Sequence, residues 1–377
     1  MSKRVWLGML VLVALAVAFW FTYGPGARKA EAEIRIGAIL PLTGGAAQWG
    51  VPPRDAATLA VEEINAKGGI KGKKIRLEVE DDKCEPAVGV SAVQKLLATG
   101  KPVAILGAVC SSVTLAIAPI AEAQKVVLVS PASTNPQITN AGDHIFRVVP
   151  TDALRGKVFA EYVYSLGHRR VSILYINNEG GAGNQMTFAE NFQKLGGNIV
   201  SIDAYPQDTR DVRAQLTKIR QQEPEAVIVV SYPDDTPLVL RQASELKLGV
   251  PLFFQTEALD DPAVIQRAGS AAEGATYILP AKAEGPMVDD FARKYREKFG
   301  RAPELYAAEG YDVIRLIDTI LANSPDFSAD GLKAGLYATK NYQGASGRIT
   351  FDENGDVIKP MAVKKIQQGK AVTVESK

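Results

Sequence analysis

The residues whose chemistry stands out in this chain are small hydroxyl side chains gathered at the ends of apolar runs. The run Ile105 to Cys110 leads into Ser111, Ser112, Val113 and Thr114, and the run Val126 to Val129 leads into Ser130, Ala132, Ser133 and Thr134. In open α/β sheets, ligands bind beyond the carboxyl ends of strands, where loops enter helices. A helix that starts there presents unpaired N–H groups and a partial positive charge, which suits a carboxylate, and Ser111 adds a donor. The same serines could serve only to cap their helix. Thr134 can donate to a carboxylate or accept from an ammonium, and the carbonyl of Ala132 can accept from an ammonium. A third run, in Pro251-Leu252-Phe253-Phe254-Gln255-Thr256-Glu257, delivers a carboxylate that could neutralise a cationic group. Such a set would grip a small zwitterion.

These groups converge only if parallel strands carry them. From Ile34 onward, short β-branched runs alternate with helical patterns, which is the rhythm of βαβ units. In the first helical pattern Ala57, Ala60, Val61 and Ile64 share a face, and Gly68-Gly69 supplies a stop. Runs such as Val103-Ala104-Ile105-Leu106 and Val126-Val127-Leu128-Val129 are apolar throughout, so their strands are expected to be covered on both faces. A second series of the same kind follows Thr151, and two helical patterns come after Pro280. The stretch from Gly347 to Val372 reads as a hairpin turned at Asn354-Gly355. The expected fold is therefore α/β, with two doubly wound parallel-sheet lobes.

The N-terminus begins with Lys3 and Arg4, then an uncharged run from Val5 to Tyr23, then Ala30-Glu31-Ala32. It reads as an export signal cut before Glu33, or as an uncleaved membrane anchor of nearly spanning length. Either places the rest of the chain outside the cytoplasm. With 43 basic and 42 acidic residues the chain is close to neutral, and losing residues 1–32 removes four bases and one acid. That balance does not advertise nucleic acid or anionic lipid as a partner. The only cysteines, Cys84 and Cys110, form an even pair in an exported chain, which suggests a disulfide.

Motifs for catalysis are missing. Gly180-Gly181-Ala182-Gly183-Asn184 lacks dinucleotide-binding spacing, Gly68 to Lys74 is no phosphate loop, and no G-x-S-x-G occurs. The two histidines, His144 and His168, have no nucleophile or acid patterned beside them, and no cluster has metal-ligand spacing. We expect no enzyme, no cofactor and no metal.

From Ile34 to about Lys370 the chain resembles the type I periplasmic solute-binding proteins, specifically the leucine/isoleucine/valine-binding family of ABC importers. The stretches that carry the resemblance are IGAILPLTGGAAQWG, AVEEINAKGGIKGKKIRLEVEDDKCEP, GAVCSSVT, VSPASTNPQIT, FRVVPTD and ITFDENGD. It implies two lobes joined by three crossover segments, 33–150 with 280–344 and 151–279 with 345–377, and a ligand held between them. It also implies a Cys84–Cys110 bridge. Carried over residue by residue, Ser111 matches the serine that holds the ligand carboxylate, Thr134 the threonine that contacts both main-chain groups, and Ala132 and Ser133 the adjoining loop. Glu257 matches the acid facing the ammonium, Trp49 an aromatic near the cleft mouth, and Tyr232 and Tyr311 tyrosines lining the pocket. Gly180 falls where the family usually has a tyrosine, so the resemblance implies extra room there and a shifted side-chain specificity. The expected role is delivery of an amino acid, of branched-chain type or related, to an inner-membrane permease by a monomer. Sensing for a receptor, or binding of another carboxylate or an amide, is the alternative.

Overall fold

The computed structural model describes residues 33–376. The export or anchor segment, residues 1–32, lies outside the described residues. The first lobe opens with β1 (Ile34–Leu40), α1 (Ala47–Ala66), β2 (Ile75–Asp81), α2 (Pro86–Thr99), β3 (Ala104–Gly107), α3 (Ser111–Ala123), β4 (Val127–Ser130) and β5 (Ile145–Arg147). Its sheet runs β2-β1-β3-β4-β5 with every pair parallel. All residues of β3 and β4 are buried, as their unbroken apolar sequence requires. Ala57, Ala60, Val61 and Ile64 of α1 are buried together, and the helix stops at Gly68 and Gly69, both at positive φ.

The second lobe holds α4 (Asp152–Ser165), β6 (Arg170–Ile176), α5 (Glu179–Lys194), β7 (Asn198–Tyr205), α6 (Arg213–Gln221), β8 (Ala226–Val230), α7 (Thr236–Glu245), β9 (Leu252–Phe254), α8 (Pro262–Ala268) and β10 (Thr276–Pro280). The chain then returns through α9 (Pro286–Phe299), α10 (Ala307–Asn323) and α11 (Ala329–Ala338), followed by a two-stranded ribbon, β11 (Tyr342–Gly344) with β12 (Gly347–Ile349). Helix α10 lies close against α1, because a Cβ at Gly310 would sit only 2.5 Å from the Pro53 carbonyl oxygen. Finally β13 (Met361–Gln367) and β14 (Lys370–Ser376) complete a sheet ordered β14-β13-β10-β9-β8-β6-β7. These last two strands are antiparallel, so the second sheet is a parallel core with an antiparallel edge.

Strand order reverses between β1 and β3 in one sheet and between β6 and β8 in the other. At such switch points the loops diverge and leave a crevice. The chain crosses between the lobes three times, near residues 149–152, 280–286 and 357–361.

Two expectations about the C-terminal region need correction. The long hairpin is β13–β14, and its turn is Gln368-Gly369, both at positive φ as a tight two-residue connection demands. Asn354-Gly355 instead lies in a small turn bridged by Phe351 and Val357, in which the Asp352 carboxylate accepts from the Asn354 and Asp356 amides. Residues 345–357 also stay with the first lobe, past the expected boundary at 344. Asp312 accepts from the Ala345 and Ser346 amides, Phe351 meets Phe146 at 5.6 Å, and Asp356 pairs with Arg147.

Candidate functional site

On the first lobe the site is made of neutral donors held by a stiff frame. The Cys84–Cys110 disulfide, Cα–Cα 5.5 Å, ties the turn after β2 to the residue preceding α3. In a chain-entropy picture a loop of this length contributes about 3 kcal/mol. Ser111 follows at once as the first residue of α3, where the leading amides have no intrahelical partner. Its Oγ accepts weakly from the Asn135 amide, at 3.3 Å, and keeps its proton free to donate.

Behind it, hydroxyls are spent on the frame itself. Ser130 Oγ donates to the Ala108 carbonyl at 2.6 Å, and Ser133 Oγ lies 3.0 and 2.9 Å from the Ala108 and Val109 carbonyls and 2.7 Å from Thr114 Oγ1. Ser133 therefore does not line the cavity; it fixes the loop, and its expected place in the pocket is corrected on that ground. Ala132 and Thr134 do line the cavity. Thr134 Oγ1 donates to Asp152 Oδ2 at 2.8 Å, so its remaining capacity is to accept.

The second lobe supplies charge. Asp152 and Arg155 stand on the first turn of α4, and Glu257 follows β9; all three are buried. The Arg155 guanidinium donates to both oxygens of Glu257 and to the Gln255 carbonyl, and its Nε lies 3.6 Å from Asp152 Oδ1. Burial pushes the Asp152 carboxyl up to about 6, against the opposing pull of Arg155 and the Thr134 hydrogen bond. Burial also works against the charge on Arg155, but Glu257 and Asp152 outweigh it and hold the guanidinium protonated. Two acids thus share one base, and with both ionised the cluster carries a surplus negative charge. Glu257 lines the cavity as half of an ion pair.

Aromatic rings close the space. Trp49, from α1, lies edge-on to Tyr232 of the second lobe at 4.8 Å and to Tyr306 at 6.2 Å. Gly180 lines the cavity, but a Cβ there would come within 2.8 Å of Tyr232 Oη. The room expected from the missing ring at 180 is thus already taken by Tyr232. Tyr311 is absent from the lining: its hydroxyl donates to Glu63 and its ring packs on Phe291 between α1, α9 and α10. The lobes meet across the site, with Asn135 Nδ2 donating to the Glu179 carbonyl at 2.6 Å. The cavity and its adjoining solvent together span about 400 Å³, enough only for a small molecule.

Six lining residues lie outside the set that the sequence assigns to the ligand: Val109, Cys110, Arg155, Asn184, Thr256 and Tyr306. Asn184 was within reach, since it lies one helical turn after Gly180 and so shares its face. Arg155 stands three residues after Asp152, a spacing that signals an ion pair but not that it borders a cavity. Tyr306 holds a left-handed conformation, φ 63°, just before α10, and nothing in its flanking sequence marks that. Among the described residues no group of His, Cys, Asp and Glu is arranged to hold a metal ion.

Comparison with known proteins agrees with this architecture. The sequence profile described as periplasmic binding protein matches residues 33–371. A Leu/Ile/Val-binding protein homolog of Brucella melitensis is 30% identical over 366 residues, covering 96% of this chain and 98% of the relative. A leucine-binding protein of Thermotoga maritima superposes with a TM-score of 0.85 at 30% identity, covering 91% of this chain and 98% of that one. The branched-chain amino acid transporter substrate-binding protein LivJ of Streptococcus pneumoniae, in complex with isoleucine, gives a TM-score of 0.81 at 26% identity, covering 92% and 99%. Fold, topology and sequence together make this chain a member of the periplasmic binding protein family, a solute-binding protein and not an enzyme.

Proposed function

We propose that the chain is the substrate-binding component of an ABC importer and that it carries an α-amino acid in the cleft between its lobes. The observation that supports this best is the unequal charge of the two halves of the pocket. Ser111 and the leading amides of α3 offer only donors, which suits a carboxylate. Facing them, Asp152, Arg155 and Glu257 leave one negative charge over, which an ammonium would balance. Thr134 Oγ1 and the Ala132 carbonyl can accept from that ammonium, because the Thr134 proton is committed to Asp152. Relatives named for leucine, isoleucine and valine support the same reading.

In this reading the first lobe, 33–150 with 280–357, holds the ligand before closure, and the second, 151–279 with 358–376, closes over it about the three crossovers. One chain completes the pocket, so the working unit is a monomer. The closed form is what a permease partner recognises. A thermal-shift panel of amino acids, their deaminated analogues and simple amides on the purified protein tests the proposal, since a ligand that binds only the folded state raises Tm. The expected result is a rise for one or more amino acids and little for the analogue without the ammonium. A rise only for compounds lacking an ammonium rejects it.

A further inference from the structure

Three buried side-chain atoms of the cavity lining have no hydrogen-bond partner among the described residues: Trp49 Nε1, Asn184 Oδ1 and Arg155 Nε. The last has an ionic neighbour, Asp152 Oδ1 at 3.6 Å. The other two have none, although Trp49 and Asn184 are each only 6% exposed. The orientation of the Asn184 amide is fixed by its surroundings. Its Nδ2 donates to Asp152 Oδ2 at 2.7 Å and to the Gly180 carbonyl at 3.2 Å, both of which can only accept, so its oxygen is the atom left over. Two residues of the lining thus each hold an unpartnered atom, a donor from the first lobe and an acceptor from the second, beyond the groups assigned to the ligand's carboxylate and ammonium. A buried polar group without a partner is costly, and the cost falls away when the ligand supplies one.

We propose that the ligand's side chain is polar and uncharged, with an acceptor for Trp49 Nε1 and a donor for Asn184 Oδ1, as a primary amide has. This rests on the amino-acid reading above and narrows it to the asparagine–glutamine type. An aliphatic side chain leaves both pocket groups unpaired. A carboxylate side chain would satisfy Trp49 but set lone pairs against Asn184 Oδ1 and add negative charge beside a cluster that already carries a surplus. A second ammonium would meet the Trp49 N–H donor to donor. The polar requirement sets this pocket apart from one that takes isoleucine.

The side chains of asparagine, leucine and aspartate have nearly the same shape, so they separate polarity from size. Calorimetric titration of the purified protein with asparagine and glutamine, with leucine, and with aspartate and glutamate reads the proposal directly. The tighter of the two amides is expected to bind about tenfold or more tighter than leucine, and both acids weakly, as two recovered hydrogen bonds would give. Trp49→Phe, which keeps a ring but removes the N–H, is expected to lower the amide-to-leucine affinity ratio about fivefold, one neutral hydrogen bond being worth about that. Leucine binding as tightly as the amides, or an amide-to-leucine ratio unmoved by Trp49→Phe, overturns the proposal and leaves the amino-acid reading standing. Failure of every amino acid, with binding of a solute that lacks the ammonium, removes both.

Discussion

Two arginines, Arg147 and Arg155, are buried to nearly the same degree and paired with carboxylates, yet they serve different ends. Arg147, at the end of β5, binds Asp356 through Nε and Nη2 at 2.5 and 3.0 Å, Thr139 Oγ1 at 2.5 Å and the Asn135 carbonyl at 2.8 Å. Charge is matched one to one, Arg147 does not belong to the lining of the ligand cavity, and it fastens the third crossover to the first lobe. Arg155 has two acids and one unbonded N–H, and it borders the cavity. A completed buried pair fixes structure, whereas an incomplete one with surplus charge leaves something for a ligand to finish. Burial alone does not tell them apart; the sum of charges does.

The sharpest way to break this contrast is to remove each member in turn. Arg147→Met leaves Asp356 buried without its partner and is expected to cost about 3–5 kcal/mol of folding stability by denaturant titration, while the Kd of the folded protein moves less than about twofold. A large loss of affinity at unchanged stability would put Arg147 in the site. Glu257→Gln should do the reverse. It removes the surplus charge and is expected to cost an amino acid about 2–5 kcal/mol in calorimetric titration, with a much smaller loss for the deaminated analogue. Equal losses for both would show that Glu257 does not face the ammonium.

Smaller effects sharpen the picture on the other lobe. Ser111→Ala removes one charge-assisted donor to the carboxylate, worth about 1.5–3 kcal/mol of affinity. Unchanged affinity with a lowered Tm would make Ser111 a structural residue that holds the Asn135 loop and nothing more. The smallest effect is titration of Asp152, whose carboxyl burial raises from its ordinary 3.8 to about 6. Because the folded state holds this proton more tightly than the unfolded chain, its contribution to apo stability is present below the unfolded pKa and is lost as pH rises through about 6. Ligand affinity has the opposite sign, since an ammonium favours the ionised carboxyl. Affinity is expected to fall several-fold between about pH 7 and pH 5, within the ~1.4 kcal/mol that one proton contributes per pH unit. Asp152→Asn should flatten that slope; an unchanged slope in this variant points to another titrating group.

The neutral half of the site was legible in sequence because it is local. Ser111, Ala132 and Thr134 sit directly after apolar runs, and βαβ order brings those strand ends together. Ser133 shows where such reading stops: three hydroxyls, Ser130, Ser133 and Thr134, end or follow one strand, and only the acceptors they face decide which reach the cavity. The charged half draws on the start of α4, the second turn of α5 and the tip of β9, and no spacing rule connects Arg155 with Glu257 across more than a hundred residues. Tyr311 was misplaced by five residues, because the turn into α10 puts Tyr306 at the cavity and gives Tyr311 to the contact with α1. The antiparallel edge of the second sheet was hidden for a similar reason. An Asn-Gly pair drew the turn forward, whereas the hairpin that forms uses Gln368-Gly369.

The measurement that tests the central claim most directly is a crystal structure of the protein with the amino acid that raises its Tm furthest. The expected result places the ligand carboxylate on Ser111 Oγ and the leading amides of α3, with the ammonium in hydrogen-bond reach of Thr134 Oγ1 and Glu257. A ligand seated the other way round, its carboxylate on Arg155 and its ammonium turned from Glu257, would contradict it.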